Sequence, residues 1–240
     1  MRVKAATPQH DAPHNPGKTP TGANRSADRA GTLPGRRRPG QTGGMTELRV
    51  PALVLAAGGG SRLGGRPKAL LPYRGRPLLE HALAVARDGG CDGVVAVLGA
   101  AAAEVRERVD TGDCLLVDNP DWRTGLSSSL RAGLAALPTG ASAVLVLLVD
   151  TPGVTAEAVR RLLAAHAGRT DLAACAYAGR RAHPVLIGAA HFPELLATST
   201  GDAGARALLA RHPVTLVDCT DVAVPDDLDT PADLARWGID

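Results

Sequence analysis

Short continuous apolar runs alternate with segments of helical periodicity from residue 50 onward. The runs consist mainly of Val, Leu and Ala, a pattern typical of strands that helices cover on both faces. The segments between them carry apolar residues three and four positions apart, which predicts amphipathic helices. The predicted strands are 51–57, 93–99, 114–119, 143–150 and 214–218, and the predicted helices are 76–90, 101–109, 125–137, 155–168 and 202–212.

This alternation predicts an α/β fold with a doubly wound, mostly parallel Rossmann-like sheet and helices on both faces. The rhythm changes after residue 170, where only "RRA" separates the apolar runs 172–179 and 183–188. A connection this short is too small for a parallel crossover, so we expect an antiparallel excursion in the C-terminal third. The sequence contains no internal repeat, and we predict one domain over residues 48–240.

The N-terminal segment differs from the rest in composition and charge. Residues 1–47 are rich in Pro, Gly, Thr and Asn, which predicts a disordered basic arm. Residues 1–44 hold eight Lys or Arg and two Asp, whereas the remainder holds nineteen bases and twenty-two acids. The basic balance therefore belongs to the arm and does not indicate a nucleic-acid partner for the domain. Because "MTELRVPALVLAAG" starts just before the first strand, we hypothesise that translation begins at Met45.

Two further observations bound the protein's class. No apolar run approaches the roughly 20 residues of a membrane-spanning helix, so we expect no membrane partner. The four cysteines stand far apart without a CxxC pair, which favours buried thiols over a zinc site and fits a cytoplasmic location.

The stretch "LAAGGGSRLGGRPKALLP" (55–72) joins the first predicted strand to a glycine-rich loop with fixed positive charges. Glycines at the carboxyl end of a strand let backbone N–H groups approach phosphate oxygens. The stretch lacks the G-x-G-x-x-G spacing of dinucleotide sites and the G-K-[ST] of a Walker loop. Its own cations, Arg62 and Lys68, favour a polyphosphate. A glycine turn with a purely structural role is the alternative.

Acidic side chains occur in two further segments, and that of Asp150 is expected at the same edge of the sheet as the glycine loop. Asp150 ends the most apolar strand, and a lone carboxylate there suits Mg²⁺, which relies on phosphates and water for its other ligands. Asp227 and Asp229 alternate along a short extended segment and so share a face. The alternative for both segments is helix capping, with Asp150 before Pro152 and Asp229 with Thr230 before Pro231.

A helix start after the third strand offers polar groups to a ligand. Gly125, Ser127 and Ser128 place free N–H groups and hydroxyls there, which suits a base edge or an anion. A simple polar first turn is the alternative, and Asn119 is expected to shape the loop. His183, which precedes Pro184, is either a structural turn residue or a contact to the second substrate.

Five stretches, taken in order, resemble the MobA-like nucleotidyltransferase family, and most resemble its molybdenum-cofactor cytidylyltransferase branch. The resemblance covers residues 51–235, and the sequence departs from the branch at Leu126, Val149 and Ala182, where Met, Gly and Gly are usual. The matching stretches are "LAAGGGSRLGGRPKALLP", "NPDWRTGLSSSLRAGL", "LLVDTPGV", "HPVLIG" with "GDAGARALL", and "DLDTPADL".

The resemblance implies a Mg²⁺-dependent transfer of CMP from CTP to the phosphate of a molybdopterin-type cofactor, with release of pyrophosphate. Lys68 and Arg62 would be the catalytic cations, and His183 would contact the acceptor. A molybdoenzyme or its chaperone would receive the product. The implied metal ligands are Asp150 and Asp229, with Asp227 beside them. The implied nucleotide-binding residues are Leu55, Ala56, Ala57, Gly58, Gly59, Gly60, Ser61, Arg62, Lys68, Asn119, Gly125, Ser127 and Ser128.

Three alternatives to cytidylyl transfer stay open. A guanylyltransferase of the same family would use GTP, since only "LAAG" rather than "LAGG" favours the cytidylyl branch. An NAD(P)H-dependent oxidoreductase of the nicotine-blue-reductase type is the second alternative. The absent G-x-G-x-x-G motif and an aromatic content of 2 % speak against nicotinamide or flavin chemistry. A non-catalytic binding module is the third, and it would not require Asp150.

Overall fold

The strands predicted from the apolar runs are all present in the structure, a computed structural model that describes residues 48–239. The predicted arm at 1–47 and the hypothesised start at Met45 lie outside the described residues. The strands are β1 (Ala52–Ala56), β2 (Pro72–Tyr73), β3 (Arg76–Pro77), β4 (Val94–Leu98), β5 (Leu115–Asp118), β6 (Ala143–Leu148), β7 (Leu172–Tyr177), β8 (Arg180–Gly188) and β9 (Thr215–Asp218). The helices are α1 (Leu78–Asp88), α2 (Ala102–Arg108), α3 (Leu126–Ala135), α4 (Ala156–Ala164), α5 (Phe192–Thr198), α6 (Arg206–Arg211) and α7 (Pro231–Arg236).

Within the described residues, seven strands form a mixed sheet in the order β5-β4-β1-β6-β8-β7-β9. Strand β1 pairs in parallel with β4 and β6, β4 with β5, and β7 with β9. Strand β8 is antiparallel to both of its neighbours, β6 and β7. The predicted mostly parallel α/β sheet with an antiparallel portion is therefore confirmed.

The β7–β8 connection is shorter than predicted. The "RRA" segment at 180–182 was expected to join the strands, but it forms the start of β8, where Arg180 pairs with Tyr177. The chain turns instead at Ala178 and Gly179, whose φ angles of 49° and 75° give the left-handed geometry of a tight hairpin. The polar start of β8 hid this strand because only its second half is buried.

The sheet is covered on both faces, and β1 shows how its sequence achieves this. Alternate residues of a strand point to opposite faces, so Ala52 and Val54 join one core and Leu53 and Leu55 the other. The first core includes side chains of α1, α2, α4 and α7, and the second those of α3, α5 and α6. Burying each Leu or Val contributes about 1.5–3 kcal/mol, so strands buried on both faces position the loops at their ends firmly.

Several helices begin later than predicted, and the structure shows why. Helix α1 starts at Leu78 because Arg76–Pro77 pairs with Pro72–Tyr73 in a small hairpin. Helix α6 starts at Arg206 rather than at 202 because the preceding loop bonds to the start of α3. Helix α5 and the small hairpin were not predicted.

The cysteines of the described residues are all free thiols. Cys175 and Cys219 are buried, as expected, whereas Cys91 and Cys114 are half-buried. Among the described residues, no helix has both the length and the apolar character needed to cross a bilayer.

Candidate active site

The glycine loop after β1 folds back on itself at Gly60. Its φ of 60° is left-handed, and its carbonyl accepts hydrogen bonds from the N–H groups of Leu63 at 2.8 Å and Gly65 at 3.0 Å. A Cβ on Gly60 would lie 1.9 Å from the Arg66 carbonyl oxygen, so only glycine fits there. The loop and Lys68 line a pocket of about 220 Å³ at the carboxyl edge of the sheet.

Lys68 lies between two of the predicted metal ligands. Its Nζ is 2.6 Å from Asp150 Oδ2 and 2.6 Å from Asp229 Oδ1. Burial alone would lower the pKa of Lys68, but the two carboxylates outweigh it and raise that pKa. Arg62 is exposed and reaches Asp229 Oδ2 at a longer 3.4 Å. The structure thus brings the predicted cations and acids together.

Asp227 completes an acidic cluster. The segment that carries Asp227 and Asp229 lies beside the end of β6, because Leu228 N donates a 2.9 Å hydrogen bond to the Asp150 carbonyl. Burial, followed by the charges of Asp150 and Asp229, raises the pKa of Asp227 to about 6, and Lys68 offsets this only in part. This negative charge and the set of carboxylate oxygens fit a hard divalent cation such as Mg²⁺ or Mn²⁺.

Neither Asp150 nor Asp229 caps a helix, although Thr230 caps α7 as the alternative predicted. Thr155, not Asp150, is the N-cap of α4, and its hydroxyl accepts from the Ala158 N–H at 3.3 Å. Helix α7 begins with a capping box of Thr230 and Asp233, which leaves the Asp229 carboxylate free for Lys68. Asp233 also accepts a 3.1 Å hydrogen bond from Asp229 N, so this cap positions Asp229.

Trp122 forms a wall beside the glycine loop. A Cβ on Gly59 would lie 2.9 Å from the indole, and one on Gly99 would lie 2.7 Å from it, so both glycines are required by this packing. The guanidinium of Arg123 lies 4.4 Å from the Trp122 ring centroid in a cation–π contact. A pocket of about 260 Å³ lies between this wall, Gly58 and the start of α3.

The polar side chains that were predicted to contact the nucleotide form hydrogen bonds to other groups of the protein. Asn119 Nδ2 donates to Ser128 Oγ at 2.8 Å and to Ser129 Oγ at 3.0 Å. Ser128 Oγ in turn donates to the Gly125 carbonyl at 2.8 Å, and Ser127 Oγ accepts from Gly204 N at 3.2 Å. These bonds hold the start of α3 in place, and the contact of these residues with a nucleotide stays a prediction.

Asp202, which was not predicted from the sequence, accepts a hydrogen bond from the first turn of α3. Its Oδ1 accepts a 3.1 Å hydrogen bond from Leu126 N. The loops approach closely here, because a Cβ on Gly125 would lie 2.4 Å from the carbonyl carbon of Gly201. The sequence feature that could have indicated Asp202 is the "GDAG" within the matching stretch at 201–209, because an acidic side chain suits the positive N-terminal end of a helix.

His183 lies beside a third, larger cavity of about 320 Å³. Its Nδ1 is 3.5 Å from the Val146 carbonyl, and its peptide bond to Pro184 is cis. Burial lowers the pKa of His183 despite that carbonyl and the charge of Asp150, so the imidazole is neutral at neutral pH. Apolar side chains form most of the cavity wall, with the polar Arg181, Asp202 and Arg206 around them.

The three cavities adjoin one another along the carboxyl edge. Gly58 lines both the glycine-loop pocket and the pocket at Trp122, and Leu126 and Asp202 line both the Trp122 pocket and the His183 cavity. We refer to these three adjoining cavities, from the Lys68 cluster to His183, as the groove. It has a charged end and an apolar end, which suits a phosphorylated compound with a bulky organic group.

Comparison with proteins of known sequence gives two kinds of relative. A family model described as "MobA-like NTP transferase domain" matches residues 52–216. Nicotine blue oxidoreductase of Paenarthrobacter nicotinovorans is 45% identical over 195 residues, which is 78% of this chain and 95% of that protein. The bifunctional protein GlmU of Kineococcus radiotolerans is 41% identical over 128 residues, 51% of this chain but only 26% of that protein.

Solved structures resemble the chain over most of its length. Rv0371c from Mycobacterium tuberculosis H37Rv has a TM-score of 0.70 and 34% identity, covering 79% of this chain and 97% of that one. Another structure of Rv0371c was solved in complex with manganese, with a TM-score of 0.64, 33% identity and coverage of 79% and 97%. A nucleotidyl transferase from Methanothermobacter has a TM-score of 0.66 and 26% identity, with coverage of 78% and 95%.

These comparisons confirm the family-level prediction but not its finer branch. None of the relatives named here is described as a molybdenum-cofactor cytidylyltransferase. The 45% identical relative instead favours the oxidoreductase alternative over that branch. Because a similar protein was solved in complex with manganese, a divalent cation is plausible for this chain.

Proposed function

This chain belongs to the MobA-like NTP transferase domain family, and we propose that it transfers a nucleotidyl group from a nucleoside triphosphate to an acceptor beside His183. One observation carries the proposal. Lys68 Nζ lies 2.6 Å from both Asp150 and Asp229, directly beside a glycine loop. A half-buried cation and an acidic cluster at one phosphate-sized pocket are the groups that phosphoryl chemistry requires.

In this proposal the protein aligns its substrates and neutralises charge. The glycine loop holds the triphosphate, and Lys68 offsets the negative charge that develops as pyrophosphate leaves. Arg62 is exposed and assists from the rim of the pocket. No strong base is required when the attacking group is a phosphate, because phosphate is already ionised at neutral pH. The neutral His183 orients the acceptor.

A divalent cation fits the acidic cluster. Asp150 and Asp229 would hold it, with Asp227 beside them. Mg²⁺ or Mn²⁺ bound there supplies charge neutralisation at the phosphates. Lys68 beside them would neutralise further charge on the phosphates.

The nucleotide and the acceptor are the finer part of the proposal. The five matching stretches support CTP as donor and a molybdopterin-type phosphate as acceptor, with GTP as the other donor to test. The groove supports an acceptor of this kind because a charged end adjoins an apolar cavity of about 320 Å³. A molybdoenzyme or its chaperone would take the product.

A second candidate is an NAD(P)H-dependent reduction, and the comparison with a named protein favours it over cytidylyl transfer. The chain is 45% identical to a nicotine blue oxidoreductase over 95% of that protein's length. The same groove could place a dinucleotide's pyrophosphate at the glycine loop and a planar heterocycle at Trp122. Hydride would pass from the nicotinamide to the heterocycle, and a proton from water would complete the reduction.

One set of assays separates the two candidates. The purified full-length protein is tested for pyrophosphate release with CTP or GTP in the presence of purified molybdopterin cofactor as the acceptor. It is also tested with NADPH and nicotine blue for loss of NADPH absorbance, and both assays are run with and without Mg²⁺ or Mn²⁺. We expect metal-dependent pyrophosphate release that Asp150→Asn abolishes. Metal-independent NADPH oxidation that persists in Asp150→Asn would replace the transfer proposal with the reductase.

A further inference from the structure

A second cluster of ligand-type side chains lies at the opposite edge of the sheet. Strand β8 is antiparallel to β6, so its last residue, Gly188, pairs with Ala143 at the amino end of β6. His191 follows Gly188 by three residues, and Glu194 lies in the first turn of α5. His212 directly follows α6. The fold thus brings three separate positions together far from the glycine loop.

The geometry of these three side chains is that of a metal-ligand set. Each offers one nitrogen or oxygen, and these atoms lie within 4.8 Å of one another. His212 Nε2 is 2.7 Å from Glu194 Oε2, and the rings of His191 and His212 are 4.9 Å apart at an angle of 63°. Glu194 and His212 are about one-third exposed, so an ion and a water molecule can reach them.

His191 is oriented by a contact outside the cluster. Its Nε2 lies 2.9 Å from the carbonyl oxygen of Thr170. A carbonyl only accepts hydrogen bonds, so Nε2 carries the proton and Nδ1 keeps a free lone pair in the neutral ring. Histidines that bind metals usually donate their other ring N–H to a carbonyl or carboxylate in this way.

We propose that His191, Glu194 and His212 bind a divalent transition metal of the zinc class. Two imidazoles and one carboxylate suit Zn²⁺, with water at the fourth position. Mg²⁺ prefers an all-oxygen set and would not compete here. This site is independent of the nucleotide groove and of the reaction that the groove carries out.

An ion pair is the competing explanation for the same contacts. A protonated His212 would pair with Glu194, and Arg211 Nη1 adds positive charge at 3.7 Å from Glu194 Oε1. An ion pair would stabilise the protein without any metal, and zinc would not change its stability.

Zinc binding to the metal-free, full-length protein distinguishes the two. The test uses an Asp150→Asn, Asp229→Asn background, so that the acidic cluster does not take up the ion. Calorimetric titration with Zn²⁺ should give one ion per chain at this site, and Mg²⁺ should give no heat. Co²⁺ should produce the visible absorption of a tetrahedral site.

Single substitutions in that background assign the ligands. Glu194→Gln and His212→Asn should each weaken zinc binding more than about 10-fold, because even losing an outer-shell partner costs that much. Glu157→Gln and His81→Asn are matched controls outside the cluster and should leave zinc affinity unchanged. Circular dichroism of the metal-free variants checks folding, and Glu194→Gln, which keeps the side chain's size, carries the test alone if His212→Asn misfolds.

Two results would overturn the proposal. One is a zinc affinity in Glu194→Gln equal to that of the Glu157→Gln control. The other is a loss of thermal stability in Glu194→Gln that is the same with and without zinc, which is the behaviour of an ion pair alone.

Discussion

The two ends of the groove are built in different ways. The phosphate end, formed by the glycine loop, Lys68, Asp150 and Asp229, takes most of its residues from one loop and is shaped by backbone packing. The acceptor end, the cavity beside His183, is formed by side chains from α3, β6, β8, α6 and the loop before α6. Only the phosphate end takes most of its residues from one continuous segment of sequence.

This difference explains why the residues of the site indicate the class of reaction more specifically than they indicate the second substrate. The glycine loop has no room for side chains at its close contacts, and it lies beside a lysine held between two acids. Such a site can bind many phosphate-containing ligands. The acceptor end depends on side-chain shape at scattered positions, and small changes there can alter the second substrate. Relatives with different names can therefore share the first end and differ at the other. The following substitutions test this separation, from the largest expected effect to the smallest.

Gly60→Ala should disrupt the phosphate end most. The left-handed φ costs about 1–2 kcal/mol for alanine, and overlap with the Arg66 carbonyl adds about 1–3 kcal/mol. Chemical denaturation and nucleotide-dependent thermal shift measure both effects. Gly64→Ala is the control, because φ is also left-handed there but a Cβ meets nothing within 4 Å. Equal effects of the two substitutions would show that the close approach at Gly60 is unimportant.

Lys68→Ala should remove charge neutralisation at the phosphate end. By analogy with the loss of one oxyanion-hole donor, we expect a fall in pyrophosphate release of about 10²–10³-fold. The exposed Arg62→Ala serves as the comparison and should cost far less. Steady-state kinetics with the nucleotide and the acceptor varied separately locate the effect. An unchanged rate in Lys68→Ala would rule out its proposed catalytic role.

Thr230→Ala should loosen the phosphate end through Asp229. Loss of an N-cap costs about 1 kcal/mol, and the cap of α7 also fixes the backbone of Asp229 through Asp233. We expect weaker metal and nucleotide binding in addition to lower stability. Thr155→Ala removes the cap of α4 at similar cost and should leave binding intact. Weaker metal and nucleotide binding by Thr230→Ala than by Thr155→Ala, at equal stability, would support the role of this cap in positioning Asp229. Equal binding by the two variants would contradict that role.

Leu126→Met should leave the phosphate end unchanged, because Leu126 lines the His183 cavity and the Trp122 pocket but not the glycine-loop pocket. Leu126 lines the His183 cavity and is half-buried, so its stability change should be a fraction of the roughly 1.5 kcal/mol limit for such swaps in a core. We expect an altered KM for the acceptor and an unchanged KM for the nucleotide. A change in the nucleotide KM instead would mean that the two ends are not independent.

The sequence predicted the sheet and the phosphate end because their signals are local. Continuous apolar runs predicted the strands, and glycines beside Lys68 indicated the pocket that the structure contains. Asp202 was missed because its partner, Leu126 N, lies 76 positions away. Whether Asp150 and Asp229 cap helices could be decided only from the residues at which α4 and α7 begin in the structure. The start of β8 was missed because its residues are exposed, so no apolar pattern reveals that they form a strand.

The packing of Trp122 against Gly59 and Gly99 also gives the protein a built-in optical reporter. The chain contains two tryptophans, and the other, Trp237, packs beside Tyr73 against the first core. A Trp237→Phe variant would therefore emit from the groove alone. Its fluorescence would follow the arrival of each candidate ligand in real time, without a label and before any chemistry occurs.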